Sequence, residues 1–592
     1  MHHSNSSNSG KINSMKKVIY ENVASQKDAA KRPDVERSVS NNEVPEILKN
    51  FAKGRLFYIR TYGCQANVRD EEVMAGYLTA AGFERTLDPR KANIAIINTC
   101  AVRENAEDKV YGEIGSYKTN KAKDKDFMLV LAGCVMDEND VAQKLMETYP
   151  WITLVIGTHD VSRINELLTE VLKKKSSIVS VRSFASEVVE NLPSVRLNST
   201  QAFVNISYGC DKFCTYCIVP YTRGRERSRK KEDIVKECKD LVSKGYKQIT
   251  LLGQNVNSYG LDFKDGTTFA ELLRLVAETG IPHLRFLTSY PSQFTDEMID
   301  VMASYPNIDH WLHFPVQSGS TKTLSKMGRR YTREGYLDVV RRIKARIPDM
   351  ALTTDIIVGF PYETEEDFQD TLSLCKEVGY SSAYTFIYSP RPGTPAAKME
   401  QIPPEVSHER FLRLKALIDE LTAKSSDECV GQTYTVLIEG PSKKNPDVLT
   451  SYAPNGKLIN FPGPKYLSGC FAKVKVNKSQ VYSLFGELVE DPLIVKAKDV
   501  AFHLNCSPMI KEYLSLDEAI KNDPEIKELG EELVSKKKAL ALAISKPETY
   551  KQAKEEYEAV LNKIKNHPLL NNHDSLKDTI RNELILIRDI LK

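Results

Sequence analysis

The sequence predicts an α/β protein: a doubly wound parallel-sheet N-terminal domain, a partial parallel (β/α) barrel, a small antiparallel β-barrel and a C-terminal helical module. Three observations predict it. Along residues 54–428 short apolar runs alternate with helical patterns, as parallel strands joined by crossover helices do. From about residue 430 the runs alternate with a period of two and are broken by Gly, Pro and Asn, the signature of antiparallel strands. Beyond residue 494 long charged stretches carry apolar residues at helical spacing.

A chain of 592 residues exceeds what one core supports. Its 41% hydrophobic and 27% charged content is that of an ordinary globular protein. No apolar run approaches the roughly 18 residues of a membrane helix. The first residues, MHHSNSSNSGKINSMKK, are basic without an apolar centre, so no signal peptide is expected. Eleven cysteines spread over this length fit a reducing, cytoplasmic location better than a disulfide framework. A net charge of +3 selects no partner by itself, so a nucleic-acid face has to come from local asymmetry.

Residues 1–53, rich in Ser, Asn, Lys and Glu, read as a disordered extension with one short helix near 44–51. Residues 54–175 form the first domain. Its runs at 56–59, 94–97 and 127–131 are each followed within a few residues by a cysteine: Cys64, Cys100 and Cys134. A parallel sheet carries its strand ends on one edge, so the three thiols are expected to meet there as a three-cysteine metal cluster site; the alternative is a chance placement of buried thiols. Residues 151–157 add a strand, 160–173 a closing helix, and 176–200 read as a polar linker.

Residues 201–428 repeat the alternation, with strands expected at 203–208, 248–252, 284–288, 311–316, 353–358 and 384–388. Chemistry in such a barrel sits at the carboxyl ends of the strands. The first strand runs into Cys210, Cys214 and Cys217, whose spacing on one loop suits three irons of a cubane cluster with the fourth iron open. A zinc knuckle, the plainer alternative, lacks a nearby fourth ligand. The other strand ends carry Gly253-Gln254-Asn255, Ser289-Tyr290-Pro291 and Gln317-Ser318-Gly319-Ser320, small and amide-bearing residues that suit a polar cofactor. Residues 222–231 hold six basic side chains against one acidic, and Arg223 and Arg225 are expected to contact RNA phosphates rather than simply face solvent.

Residues 429–493 form the small barrel. Between 440 and 480 seven lysines stand against Asp447 alone, and Tyr and Phe interleave with them, a pattern that fits RNA binding through Lys457, Lys473 and Lys475. Residues 494–592 are the helical module. Leu576, Ile580, Leu584, Ile587 and Leu591 form one apolar stripe, and Ser575-Leu576-Lys577-Asp578 has the pattern of a capping box. A helical hairpin packed on itself or on the barrel is expected. Cys238, Cys375, Cys429, Cys470 and Cys506 are expected to be plain apolar side chains and not ligands.

The block CDKFCTYCIVPYTRGRERSR resembles the cluster loop of radical S-adenosylmethionine enzymes, and more narrowly that of the methylthiotransferases acting on tRNA adenosine. Gly63-Cys64-Gln65 and the run from Asn98 to Glu104 resemble the amino-terminal domain of that family, with Gln65-Ala66-Asn67 where Gln-Met-Asn is usual. The segment 429–493 resembles its TRAM domain. The stretches YGCQAN and HFPVQSGSTKTLSKMGRRYTRE are most similar to members acting on isopentenylated adenosine beside the anticodon, at position 37.

The resemblance implies two [4Fe-4S] clusters, one at Cys210, Cys214 and Cys217, the other at Cys64, Cys100 and Cys134. It implies S-adenosylmethionine bound near Tyr216, Gln254, Ser289, Gln317 and Asp355, for which ordinary packing and turn-forming roles are the competing readings. One molecule of S-adenosylmethionine would methylate a sulfur held on the auxiliary cluster; the other would yield a 5′-deoxyadenosyl radical that takes hydrogen from C2 of adenine. Partners implied are tRNA and a one-electron reductant such as a flavodoxin or ferredoxin, with the chain acting as a monomer away from membranes. Rival readings are methylthiolation of threonylcarbamoyladenosine and a non-catalytic iron–sulfur sensor that binds RNA. The helical tail resembles the small helical adaptors among the competence and biofilm regulators, which implies a protein partner for it.

Overall fold

A computed structural model describes residues 18–20, 35–40, 42–100, 104–137, 141–182, 187–492, 494–496 and 507–590. The chain forms two compact units, Met1–Leu488 and Val489–Lys592. Among the described residues no helix is long and apolar enough to cross a membrane.

The first domain is a seven-stranded, wholly parallel sheet. It contains β1 (Val18–Tyr20), β3 (Leu56–Thr61), β4 (Glu84–Arg85), β5 (Ile94–Thr99), β6 (Met128–Gly133), β7 (Ile152–Ile156) and β8 (Ile178–Ser180), in the order β1-β8-β7-β6-β5-β3-β4. Every residue of β5, β6 and β7 is buried, as central parallel strands covered on both faces must be. Alternate residues feed two cores: Ile94, Ile96 and Val130 pack on one face, Ala95, Ile97 and Leu129 on the other.

Two expectations are corrected here. The extension 1–53 supplies structure to the domain: β1 pairs with β8, β2 (Glu36–Val39) pairs with β9 (Glu187–Glu190), and the expected short helix, at Glu46–Ala52, buries Leu48 and Ala52 in the sheet's core. Residues 1–17, 21–34 and 41 lie outside the described residues. The segment 176–200 is no free linker either, because buried Ile178 and Val179 continue the sheet and the backbone at Pro193 rests against Gly76.

The second domain has six parallel strands in two sets of three. β10 (Gln201–Asn205), β13 (Gln248–Leu252) and β14 (His283–Phe286) form one; β15 (Trp311–His313), β16 (Ala351–Val358) and β17 (Ser382–Ile387) form the other. A bridge between Leu284 and Ile308 joins them, which makes the open partial barrel. A short antiparallel pair, β11 (Ser207–Tyr208) with β12 (Arg227–Ser228), ties the two ends of the cluster loop together.

The third domain is a closed five-stranded barrel of β18 (Thr433–Pro441), β19 (Val448–Tyr452), β20 (Leu458–Pro462), β21 (Phe471–Gln480) and β22 (Ser483–Leu488). It departs from the purely antiparallel expectation at one place: β20 and β22 run parallel, which closes the ring.

Among the described residues from 507 on, the second unit has four helices, Pro508–Asn522, Pro524–Ala543, Pro547–Lys565 and Pro568–Ile590. Each opens with proline, whose missing N–H costs nothing in a first turn. The first helix packs against the fourth and the second against the third. The capping box expected at Ser575 is absent, since that residue lies within the last helix. Leu584 on the expected stripe is exposed. Leu591 and the side chain of Ile587 lie outside the described residues.

Candidate functional site

Cys64, Cys100 and Cys134 follow β3, β5 and β6, three adjacent strands of one parallel sheet, so the topology brings them to one edge. Thr61 is level with Asn98, and Thr99 with Gly133, which sets the three strand ends side by side. Two glycines make the approach feasible: a Cβ on Gly63 would stand 2.6 Å from the Cβ of Cys100, and one on Gly133 2.2 Å from the Thr99 carbonyl oxygen. Asn67, fully buried, pins the edge by donating to the Thr99 carbonyl at 2.8 Å and accepting the Cys64 thiol at 3.2 Å. Asn98 donates back to the Asn67 carbonyl at 2.8 Å.

The thiols are electrostatically unequal. The Cys100 thiol hydrogen-bonds to Cys64 and, with Arg223 nearby, holds it down to about 5 in spite of burial. Burial pushes Cys134 up to about 11, against the pull of Arg223, whose Nε donates to the Cys134 Sγ at 3.2 Å.

Cys210 leaves β11 through Gly209, whose left-handed φ of 72° no side chain would suit: a Cβ there would lie 2.2 Å from the Arg225 carbonyl oxygen. The loop is held by the Cys210 N–H donating to Gly224 O at 3.0 Å and the Thr215 N–H donating to Met327 O at 2.9 Å. Donors point at the sulfurs: Asn255 Nδ2 lies 3.0 Å and the Lys212 N–H 3.5 Å from Cys210, and Arg329 Nη1 lies 3.7 Å from Cys214. Burial pushes the Cys210 thiol up to about 12 and Cys217 higher still. Among the described residues no group of three or more His, Cys, Asp or Glu is drawn together as a site for a metal ion. Buried thiols fringed by N–H donors do match the needs of cluster thiolates.

The expected cofactor-side residues fall as follows. Ser289 is buried and its Oγ has no partner, an orphan that a polar ligand would satisfy. Gln254 lines a cavity of about 130 Å³ together with Cys64, Arg223, Ser207 and Thr288. Gln317 is buried at φ 70°, and Thr288 stands at φ 66°, two strained strand-end residues of the kind found at ligand sites. Asp355 lies 3.4 Å from His313 Nε2. Tyr216 sits on the cluster loop but packs edge-to-face on Phe360 beside Met327, Ala396 and Met399, so its surroundings are those of a packed tyrosine.

The phosphate-contact expectations divide. Arg223 is buried, ion-paired with Asp70 at 2.9 Å and bonded to Cys134, so it serves the cysteine edge and not an RNA surface. Lys457 is also buried, its Nζ donating to Ser426 Oγ at 3.0 Å and Ser381 O at 3.2 Å. Both cations meet the same condition, since a charge taken out of water has to find acceptors, and each does. Arg225 is half-buried, paired with Asp211 at 2.7 Å and set over the Phe213 ring. Lys473 and Lys475 are exposed on one face of β21.

Sequence reasoning missed Asn67, Asn255, His313 and Arg329. Asn255 stands in the very strand end read for Gln254, and only the fold shows which of the two amides reaches a cysteine sulfur.

A six-stranded parallel half-barrel with three cysteines on its first loop defines the class: residues 204–375 match the Radical SAM superfamily. Residues 56–157 match Uncharacterized protein family UPF0004, 427–489 the TRAM domain, and 493–582 the family described as Control of competence regulator ComK, YlbF/YmcA. The chain is 50% identical over 473 residues to the tRNA-2-methylthio-N(6)-dimethylallyladenosine synthase of Bacillus cytotoxicus, covering 79% of this chain and 93% of that protein. It is 51% identical over 472 residues to the protein of the same name from Geobacillus kaustophilus, covering 79% and 89%. A solved structure of the radical S-adenosylmethionine methyltransferase TsrM from Kitasatospora setae superposes with a TM-score of 0.44 at 15% identity, covering 65% of this chain and 78% of that one. This chain belongs to the family of tRNA-2-methylthio-N(6)-dimethylallyladenosine synthases.

Proposed function

We propose that this chain is a radical S-adenosylmethionine enzyme that converts N6-isopentenyladenosine of tRNA, at position 37 beside the anticodon, to its 2-methylthio derivative. The observation that carries this reading is the cavity of about 130 Å³ that Cys64 of one cysteine set shares with Ser207 to Gly209, the residues leading into Cys210 of the other. Sulfur held at one set and a radical generated at the other need a common space around one adenine carbon.

In this reading Cys210, Cys214 and Cys217 hold one [4Fe-4S] cluster and Cys64, Cys100 and Cys134 the second. When bound, the clusters supply a one-electron reductant for S-adenosylmethionine and an iron that carries the sulfur. The protein's own residues do the rest. Asn255, Lys212 and Arg329 present N–H donors to the Cys210 set, and Arg223 does so for Cys134. Ser289, Gln254, Gln317 and Asp355 offer polar atoms at the strand ends, where the amino, carboxylate and ribose groups of S-adenosylmethionine need them.

Residues 54–175 then form the sulfur-carrying domain, 201–428 the radical domain, and 429–493 an RNA-holding barrel with Lys473 and Lys475 facing phosphate. The reductant is a small flavodoxin or ferredoxin, and the chain works as a cytoplasmic monomer. The names of the relatives specify a dimethylallyl group, which favours isopentenyladenosine over threonylcarbamoyladenosine.

Nucleoside mass spectrometry of tRNA from a strain lacking the gene tests the reading. Isopentenyladenosine is expected to accumulate at the expense of its 2-methylthio form, which complementation restores. Unchanged 2-methylthio-isopentenyladenosine would overturn the assignment, and failure of the reconstituted protein to cleave S-adenosylmethionine under anaerobic reduction would leave a sensor.

A further inference from the structure

Behind the auxiliary cysteines lies a second, separate cavity of about 100 Å³. Its walls are the turn Thr158–Arg163 of the first domain, Arg69 and Asp70 of the helix Gln65–Ala81, the segment that contributes Arg182, Glu187 and Leu192, and the returning arm of the cluster loop with Arg223 and Arg227, so that two carboxylates, Asp70 and Glu187, face it along with four arginines. It shares Asn205, Tyr208, Gly209 and Arg223 with the cavity that holds Cys64, so those four residues form the partition between them.

Arginines around this cavity differ in one respect. Arg69 is paired with Glu72 at 3.1 Å, Arg223 with Asp70 at 2.9 Å, and Arg182 with Asp160 at 2.6 Å. Arg229, the next basic residue along the chain, pairs with Glu190 at 2.6 Å and Glu237 at 2.8 Å. Arg227 is only 4% exposed, yet among the described residues no carboxylate lies within ion-pair distance of it. Its Nη1 donates to the Arg225 carbonyl at 2.9 Å, and its Nε has no partner at all. A buried guanidinium bonded only to carbonyls has its charge compensated only in part, here by Asp262 and Asp211 beyond ion-pair distance, and burial pulls it down to about 10, a cost that an entering anion would relieve. His159 reports the same field: burial, then Arg227, Arg182 and Arg223, push its imidazole well below its ordinary value, so it adds a neutral ring to the wall.

We propose that this cavity is a small-anion site that holds an inorganic sulfur anion of the hydrosulfide class next to the auxiliary cysteines, with Arg227 as its principal counter-charge. Size selects the class. A space of about 100 Å³ suits an ion of a few heavy atoms. Position selects the sulfur anion over others: Arg223 touches the cavity on one side and the Cys134 sulfur on the other, so an anion on Arg227 is one side chain from the edge where sulfur is needed. The inference rests on the methylthiotransferase reading above and adds where its inorganic sulfur waits.

The test uses the anaerobically reconstituted full chain in two measurements. Bromide is soaked into crystals, and anomalous scattering is expected to place an ion against Arg227 that added sodium sulfide displaces. In solution, multiple-turnover formation of methylthiolated tRNA is followed against sulfide concentration for wild type, Arg227→Met and Arg227→Lys. The Met variant is expected to raise the sulfide concentration for half-maximal rate at least about tenfold, with iron content and 5′-deoxyadenosine formation unchanged, and Lys to restore part of the loss. No bromide in the wild-type cavity would overturn the proposal. Bromide there with a sulfide dependence unmoved by Arg227→Met would mean an adventitious ion only, and would overturn it too. If the Met variant fails to hold its iron, displacement of bromide by sulfide in the wild type decides. Absence of methylthiolated tRNA from wild type at every sulfide concentration would instead strike the enzyme assignment itself.

Discussion

Two alanine triples separate the two cysteine sets. Alanine at Cys210, Cys214 and Cys217 is expected to abolish 5′-deoxyadenosine while about four irons remain on the other set. Alanine at Cys64, Cys100 and Cys134 is expected to leave 5′-deoxyadenosine forming but no methylthio-nucleoside; measuring both products in one reaction checks it, and methylthiolated tRNA from the second variant would sink the division of roles. Asn67 gives a finer probe, because its side chain bonds the Thr99 carbonyl and the Cys64 thiol in a fully buried setting. Asn67→Ala leaves those groups unpaired at a cost of about 1–3 kcal/mol. It is expected to lower the iron bound at the first-domain set before that at the second, read by iron content and thermal unfolding. By contrast Cys238 and Cys375 are wholly buried in the half-barrel's apolar core and Cys429 in the small barrel's, so replacing them by Ala or Val should leave iron content unchanged. Cys470 is only partly buried, and Cys506 lies outside the described residues.

At the scale of elements, β21 shows what alternation does to a basic strand. Ala472, Val474 and Val476 fill the small barrel while Lys473, Lys475 and Lys478 stand outside on the opposite face. Exchanging Lys473 and Lys475 for Glu is expected to weaken tRNA binding and lower the salt-dependence slope by about 0.7–0.9 for each lost phosphate contact, with tRNA-independent cleavage of S-adenosylmethionine unaffected. A salt titration of tRNA affinity reads this directly. Lys457→Ala should behave differently: its ammonium bonds Ser381 and Ser426 between the half-barrel and the long helix Pro404–Asp427, so stability falls while the salt slope stays.

At the scale of the molecule, the first two domains are tied by a chain of buried and half-buried charges. Glu237 of the second domain accepts from Arg229 at 2.8 Å and Arg196 at 2.7 Å, and lies 3.5 Å from Arg69 of the first. Burial alone would raise its carboxyl, but Arg229, Arg69 and Arg196 hold it at about 2. Its folded value thus lies below the ordinary unfolded value near 4.3. The stability it contributes is therefore present above about pH 4.3 and lost as pH falls through about 2. Glu237→Gln is expected to lower stability at neutral pH and to flatten the acid-induced loss across that window, measured by thermal unfolding against pH. The second unit calls for a simpler experiment. A chain ending at Leu488 keeps both cysteine sets, the shared cavity and the small barrel, and is expected to retain iron and methylthiolation. Loss of modification by such a chain in a folded state would make the helical unit part of the active assembly.

Local pattern alone determined where the six cysteines lie, after strands of the first domain and on one loop of the second, together with the strand–helix alternation and the small barrel's alternating strands. Those features depend on spacing and periodicity, which a sequence carries in full. That Cys64, Cys100 and Cys134 follow three adjacent strand ends on one edge was legible for the same reason, since parallel strands share one carboxyl edge whatever their helices do. Other features were decided by tertiary structure. The basic run after Cys217 looks uniform in sequence, yet Arg225 stays near the surface while Arg223 and Arg227 turn inward, one to a cysteine sulfur and one to a cavity. Residues 18–20 and 36–39 gain their place from strands far along the chain, at 178–180 and 187–190. A charge is read from sequence as a charge; whether it meets water, a carboxylate or a buried cavity depends on what distant segments pack around it.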